Sequence, residues 1–137
     1  MIRVFISGCW DMLHSGHLEL LEFARSQGDH LTVSVASDAT LRALKREPVI
    51  GEHDRCLLVA ALRCVDRAFI ARGEPSFRDC FPYVRNLRPE VWVIDANDRH
   101  RGEKEALARE TGTRIVLNHR PEHGLTTTGI IERVSAR

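Results

Sequence analysis

Several common sequence signals are absent from this chain. Its four cysteines, Cys9, Cys56, Cys64 and Cys80, show no CxxC spacing, so neither a zinc ribbon nor a thioredoxin-type site has support, and reduced thiols are expected. No apolar run approaches the ~20 residues needed to span a bilayer. The first residues lack the charged, apolar, small-residue order of a secretory leader. The expectation is a cytoplasmic protein with no membrane partner. The formal net charge is only +1, which gives no general attraction to nucleic acid. Repeats, linkers and low-complexity tracts are missing too. What remains is 137 residues, 43% hydrophobic and 28% charged, the composition of one globular domain covering residues 1–137.

Read in order, short apolar runs alternate with helical patterns. Strands are expected at Ile2 to Ile6, Leu31 to Ala36, Ala68 to Ala71, Val91 to Ile94 and Arg114 to Leu117. Helices are expected from Leu18 toward Gly28 (its cap), from Ser37 or Asp38 to Lys45, and from Glu52 to Cys64 with an apolar stripe of Leu57, Leu58, Ala61, Leu62 and Val65. Further helices are expected over Phe77 to Leu87, where Pro82 interrupts, over Gly102 to Thr111, and from a Thr127 or Thr128 cap to Val134. Five strands alternating with helices predict a Rossmann-like, three-layer, doubly wound α/β fold around a parallel five-stranded sheet. In such sheets ligands lie at the carboxyl ends of the strands.

The stretch Ser7 to His17 occupies one such end. It carries small residues between a strand and a helix, so main-chain N–H groups and the helix N-terminus favour a phosphate. His14 and His17 are three apart and share a face. Both can donate to phosphoryl oxygens, and the chemistry then needs no protein nucleophile. The alternatives are structural histidines, or a metal site made with Asp11 at the same three-residue spacing. Cys9 has no evident base beside it, which argues against a covalent role. Asp95-Ala96-Asn97-Asp98 follows strand four, and Thr126, Thr127 and Thr128 follow strand five, so both can converge on the same crevice.

Gly8-Cys9-Trp10-Asp11-Met12-Leu13-His14-Ser15-Gly16-His17 resembles the nucleotidyltransferase signature Gly-x-Phe-Asp-x-x-His-x-Gly-His, with Trp10 in place of Phe. Gly124-Leu125-Thr126-Thr127-Thr128-Gly129-Ile130-Ile131 resembles the second cytidylyltransferase signature, Arg-Thr-Glu-Gly-Ile-Ser-Thr-Thr. Glu52-His53-Asp54-Arg55 and Val65-Asp66 are similar to the same stretches of the glycerol-3-phosphate cytidylyltransferase family. The resemblance implies transfer of a nucleoside monophosphate from CTP, or alternatively ATP, to a small phosphorylated acceptor. Pyrophosphate leaves, and Mg2+ accompanies the triphosphate. The acceptor would be an alcohol or sugar phosphate, or for ATP a heptose phosphate, FMN or a pantetheine-type phosphate. It further implies a homodimer. A nucleotide-binding module without turnover is the reading from another class.

By the same resemblance His14 and His17 steady the α- and β-phosphates, and Lys45, or Arg46 beside it, is the triphosphate cation. Gly8, Cys9, Trp10, Asp11 and Gly16 lie against the nucleotide. Asp11 fixes the turn, or is a plain cap. Arg55 holds a phosphate of the acceptor, or pairs with Glu52 on the helix surface. Thr126 to Thr128 take the β- and γ-phosphates. Arg120 is a phosphate ligand shifted by one residue, because Arg120-Pro121-Glu122-His123-Gly124 is longer than the family pattern. The Asp95–Arg101 loop departs from the family's Gly-Asp-Asp, so the choice of base and acceptor rests there.

Overall fold

A computed structural model describes residues 1–119 and 125–136. Its parallel strands are β1 (Arg3–Gly8), β2 (His30–Val35), β3 (Arg67–Ile70), β4 (Val91–Asp95) and β5 (Arg114–Asn118), in the order β3-β2-β1-β4-β5. The helices are α1 (Ser15–Arg25), α2 (Asp38–Leu44), α3 (Glu52–Ala60), α4 (Phe81–Leu87), α5 (Arg101–Thr111) and α6 (Thr127–Ser135).

Strand side chains alternate between faces, and here both faces are apolar. Val4 and Ile6, with Val33, Val35, Val91 and Val93, pack on Leu21 and Ala24 of α1 and Val59 of α3. Phe5, Trp92 and Ile94 pack on Phe81 and Val84 of α4 and Leu107 and Ala108 of α5. Burial on both faces is why the strands read as continuous apolar runs rather than alternating ones. Fully buried residues such as Leu21 and Leu31 each contribute roughly 1.5–3 kcal/mol. The doubly wound α/β architecture is the expected one.

Several boundaries differ from the sequence expectation. α3 stops at Ala60, and its buried face is Arg55 and Val59, while Leu57 and Leu58 point outward. Burial of a charged residue hid this face from a hydrophobic count. α4 begins at Phe81 rather than Phe77, with Pro82 in the first turn, where its missing N–H costs nothing. α1 is capped at Ser26 rather than Gly28, and α6 by Thr126, whose Oγ1 accepts the Gly129 N–H at 3.0 Å, rather than by Thr127 or Thr128.

The sheet order reverses between β1 and β4. β1 pairs with β2 along its whole length, from Arg3–His30 to Gly8–Val35. With β4 it pairs at Val4–Val91 and Phe5–Trp92, and the two strands part beyond those rungs. β4 stays paired with β5 as far as Asp95–Asn118. A split therefore opens at the carboxyl end of the sheet, at the switch point where ligands of such folds bind.

Candidate functional site: a histidine turn and a split sheet

The histidine turn caps its own helix. His14 is the N-cap of α1 in extended conformation, and its Nδ1 accepts the Gly16 N–H at 3.0 Å. The His17 Nδ1 reaches back to accept the His14 N–H at 3.2 Å. The pair forms a reciprocal capping box in imidazole rather than hydroxyl and carboxylate. The rings stack with centroids 3.8 Å apart, and Trp10 meets His17 edge-on at 5.5 Å. Because both Nδ1 atoms accept, the hydrogen of each neutral ring is assigned to Nε2.

The turn before the helix is strained and held from behind. Trp10 and Met12 take left-handed backbone, with φ of 58° and 52°, at a cost of order 1–3 kcal/mol each. The Trp10 indole is buried and donates to the Ser34 carbonyl at 3.1 Å. A Cβ on Gly8 would lie 2.7 Å from that indole, so glycine is what lets the ring tuck under the turn. Trp10 is thus a support beneath the turn rather than an aromatic surface offered to a ligand.

Asp11 is almost fully buried. Its carboxylate accepts the N–H groups of Val49 (2.8 Å) and Ile50 (2.9 Å) and pairs with Arg46 at 2.6 Å. Burial alone would push this carboxyl up; Arg46 and the two N–H groups outweigh it and hold it below its ordinary value. The plain-cap reading of Asp11 is therefore corrected: it ties the turn to the α2–α3 loop. A metal role with His14 and His17 does not fit either, since the Asp11 oxygens and both imidazole Nδ1 atoms face main-chain N–H groups. Among the described residues no cluster of three His, Cys, Asp or Glu side chains could hold a metal ion.

Arg55 also departs from expectation. Its guanidinium is fully buried and donates to the carbonyls of Ile50 (2.8 Å), Cys9 (2.7 Å) and Ala36 (2.7 Å), and it pairs with Asp38 at 2.9 Å. It stitches the carbonyl side of the motif to α2 and α3, and in this arrangement does not face an acceptor. The alternative pairing with Glu52 is also absent, because Glu52 pairs with Arg72 and accepts the Asp38 N–H. Lys45 is exposed at the C-cap of α2, and its charge, with those of Arg55 and Arg46, acts on the Cys9 thiol. Burial dominates there and pushes that thiol up, so Cys9 is not an activated nucleophile.

The threonine tail docks on the histidine turn. Thr127 Oγ1 donates to the Asp11 carbonyl at 2.7 Å. A Cβ on Gly16 would lie 2.6 Å from the Leu125 carbonyl, so the start of α1 and the chain entering α6 are in close contact. Thr126 caps α6 and Thr128 is exposed on its first turn. Gly8, Cys9, Trp10, Asp11, His14, Gly16, His17 and Thr127 thus form one connected constellation. Arg120 lies outside the described residues.

The split between β1 and β4 holds a cavity of about 150 Å³. Ile6, Leu20, Val93 and Ile94 form its apolar floor, and Ser7, Asp95, Asp98, Lys104 and Asn118 its polar walls. Asp95 Oδ1 accepts the Asn97 N–H at 2.8 Å, and Asp98 Oδ1 the His100 N–H at 2.8 Å, so the expected loop is a pair of tight turns. Lys104 of α5 pairs with Asp98 Oδ2 at 2.6 Å, with both side chains mostly buried. Nearby Asp79 is buried, and desolvation pushes its carboxyl up to about 6 against the pull of the Cys80 N–H and Lys104. Ser7 and Asp98 lie in segments expected at the crevice, whereas Asp79 and Lys104 were not among the expected site residues. No short motif links them; only the fold brings them together.

Residues 5–133 match the model of the cytidylyltransferase-like family. The chain is 35% identical over 133 residues to the bifunctional protein HldE of Helicobacter acinonychis, spanning 96% of this chain but 27% of that protein. It is 33% identical over 125 residues to an FAD synthase of Aciduliprofundum boonei, covering 90% of this chain and 81% of the relative. The structure of a lipopolysaccharide core biosynthesis protein from Thermoplasma volcanium superposes with a TM-score of 0.75 at 28% identity, covering 90% of this chain and 99% of that one. With a family match that runs from β1 into α6 and takes in both halves of the site, the chain belongs to the cytidylyltransferase-like family of nucleotidyltransferases.

Proposed function

We propose that this chain, as a single domain, transfers a nucleoside monophosphate from a triphosphate to a small phosphorylated acceptor and releases pyrophosphate. The observation that carries the reading is the docking of the threonine tail on the histidine turn, Thr127 to the Asp11 carbonyl. It sets two helix N-termini, those of α1 and α6, beside one another, with imidazoles on the first and threonine hydroxyls on the second. The His14 and His17 Nε2–H groups would stabilise charge on the oxygens around the α-phosphorus, and the first turn of α6 would hold the distal phosphates. Lys45 adds an exposed cation at the rim. Mg2+ would arrive on the triphosphate and offset its charge, in keeping with its preference for phosphate oxygens over an all-protein cage.

ATP and CTP are both candidate nucleotides. The threonine tail resembles a cytidylyltransferase signature over eight residues. The likeness to an FAD synthase, named for an adenine-containing product, runs over 90% of the chain, and we place ATP first on that longer match. The acceptor would then be a sugar phosphate, FMN or a pantetheine-type phosphate; with CTP it would be an alcohol or sugar phosphate. A homodimer and a cytoplasmic location belong to the same proposal; among the described residues no helix is long and apolar enough to cross a membrane.

The deciding experiment is a coupled pyrophosphate assay with ATP and CTP, each against a panel of these phosphorylated acceptors. Release with one nucleotide and one acceptor class is the expected result. Tight nucleotide binding without pyrophosphate from any pair would instead establish a binding module.

A further inference from the structure

Two helices on one face of the sheet carry the same pattern in opposite charge. On the α4 side, Arg78, Phe81, Pro82 and Arg85 stand at i, i+3, i+4 and i+7, and so share a face. Arg78 lies in the turn that leads into the helix, its carbonyl accepting the Phe81 N–H at 3.0 Å. On α5, Glu103, Ala106, Leu107 and Glu110 repeat that spacing. The two helices lead into the adjacent parallel strands β4 and β5, so they run side by side in the same direction. Both stripes line one open groove of about 430 Å³. Arg78 pairs with Glu103 at 2.8 Å and Arg85 with Glu110 at 3.0 Å, so an ion pair bridges the groove at each end, with all four side chains about half exposed. Phe81 and Leu107 form the floor between these rungs, and Pro82 and Ala106 are exposed on its shoulders. Arg78 is also held by Glu74 at 3.7 Å and by the Phe77 ring, whose centroid is 4.5 Å from the guanidinium carbon.

The charges of this groove form two rows, basic along α4 and acidic along α5. A second copy can meet such a face about a two-fold axis in two ways. With the axis across the helices, arginine falls on arginine and glutamate on glutamate. With the axis along the groove, α4 of each copy lies over α5 of the other, and each basic row meets an acidic one. Arg78 then adds Glu103 of the partner subunit to its own, and Arg85 adds Glu110 of the partner subunit. Each rung becomes a closed ring of four charges alternating in sign. The equal spacing of the two stripes keeps both rings in register, and Pro82 of each copy comes down on Ala106 of the other, with the arginine stems covering the apolar floor. We propose that the α4–α5 groove is a two-fold docking face for a second copy of this chain, oriented by its charge rows. It gives a face to the homodimer of the proposed function and rests on that reading only for the number of copies. Because the axis runs along the helices, the carboxyl ends of both sheets, and both histidine turns, point the same way. The eleven residues of α5 reach about 16 Å, so the face is smaller than the roughly 800 Å² per partner of a standard interface. Association is therefore weak, with charge setting the orientation and salt loosening the pair.

Sedimentation equilibrium on the whole chain tests this. The wild type should pass from monomer to dimer as its concentration rises through about 10–100 µM, and return toward monomer in about 0.5 M salt. Arg78→Glu/Arg85→Glu makes both rows acidic, and Glu103→Arg/Glu110→Arg makes both basic. Each variant alone should associate at least about 100-fold more weakly, and an equimolar mixture of the two should recover the dimer. Recovery on mixing separates a direct contact from a folding defect. Ala106→Glu is the second route, because Ala106 is exposed on its helix and the new carboxylate would stand against Pro82 of the partner subunit. It should melt like the wild type and stay monomeric; if the charge-row variants do not fold, it decides alone. A wild type that is monomeric throughout would overturn the proposal and leave the groove to another partner. A dimer of unchanged strength in any of the folded variants would also overturn it, as would folded charge-row variants that fail to pair when mixed. Absence of pyrophosphate release would count against the transfer reading and leave the sedimentation result untouched.

Discussion

His14 and His17 stack face to face at 3.8 Å, each with its Nδ1 engaged by a main-chain N–H of the same turn. One nitrogen of each ring serves the fold, and in the proposed transfer the other donates to phosphate oxygen. The two roles can be separated by substitution. In His17→Asn the side-chain oxygen falls near the Nδ1 position, so the variant should keep the cap and melt within about 1 kcal/mol of wild type. Its turnover should fall by about 10²–10³-fold. His17→Gln places its amide near Nε2 and should retain more turnover while losing the cap. Thermal melts and steady-state kinetics on the two variants check this. Equal loss of nucleotide affinity and turnover in both would count against transition-state donation.

Asp11 should dominate the stability of the turn. Asp11→Ala leaves the Val49 and Ile50 N–H groups and Arg46 without their acceptor, at a cost of about 2–4 kcal/mol, toward the lower end because Arg46 is partly exposed. A carboxyl held below its ordinary value stabilises the fold above the unfolded-chain value and loses that effect as pH falls through the folded one. The difference between wild type and variant should hold constant from neutral pH down to roughly pH 5 and shrink below about pH 4. Urea titrations across that range provide the measurement.

Asp79 should behave in the opposite sense. Its carboxyl is pushed up to about 6 by burial, so ionising it destabilises the fold. Between the unfolded value near 4 and the folded value, the penalty grows with pH and is complete above it. Asp79→Asn should therefore be more stable than wild type by roughly 2–3 kcal/mol at pH 8 and equal to it near pH 4. A stability gap independent of pH would refute the role of burial.

The threonine tail offers a fourth check. Thr127→Val keeps the shape and removes the donor to the Asp11 carbonyl, at about 1 kcal/mol. Gly16→Ala drives a methyl into the Leu125 carbonyl and should displace the tail more. Both should raise KM for the triphosphate while leaving acceptor KM near wild type. If nucleotide KM does not move in either, the tail takes no part in holding the phosphates.

The layers of the fold and the histidine turn were legible in the sequence because both are local. Apolar runs such as Val91 to Ile94 report a strand buried on both faces, and the spacing of His14, Gly16 and His17 reports a helix start. Arg55 was misread because a charged residue at a helix start has an exposed role far more often than a buried one. Its four partners come from residues 9, 36, 38 and 50, which no local pattern connects. The segment holding Asp98 was placed at the crevice, but Lys104 was missed for a similar reason: which face of α5 turns toward the split depends on how far β4 departs from β1. Asp11 was placed correctly in the turn, but its partners lie 35 to 39 residues away.

The bond from Thr127 to Asp11 spans 116 residues. During synthesis the strand-one turn and its histidines emerge first, and their partner emerges after every strand of the sheet. A nascent chain can assemble the parallel layers in order and still lack the contact between the histidine turn and α6 until α6 has left the ribosome. A chain interrupted before residue 127 would carry the histidines without the Thr127 contact to the Asp11 carbonyl.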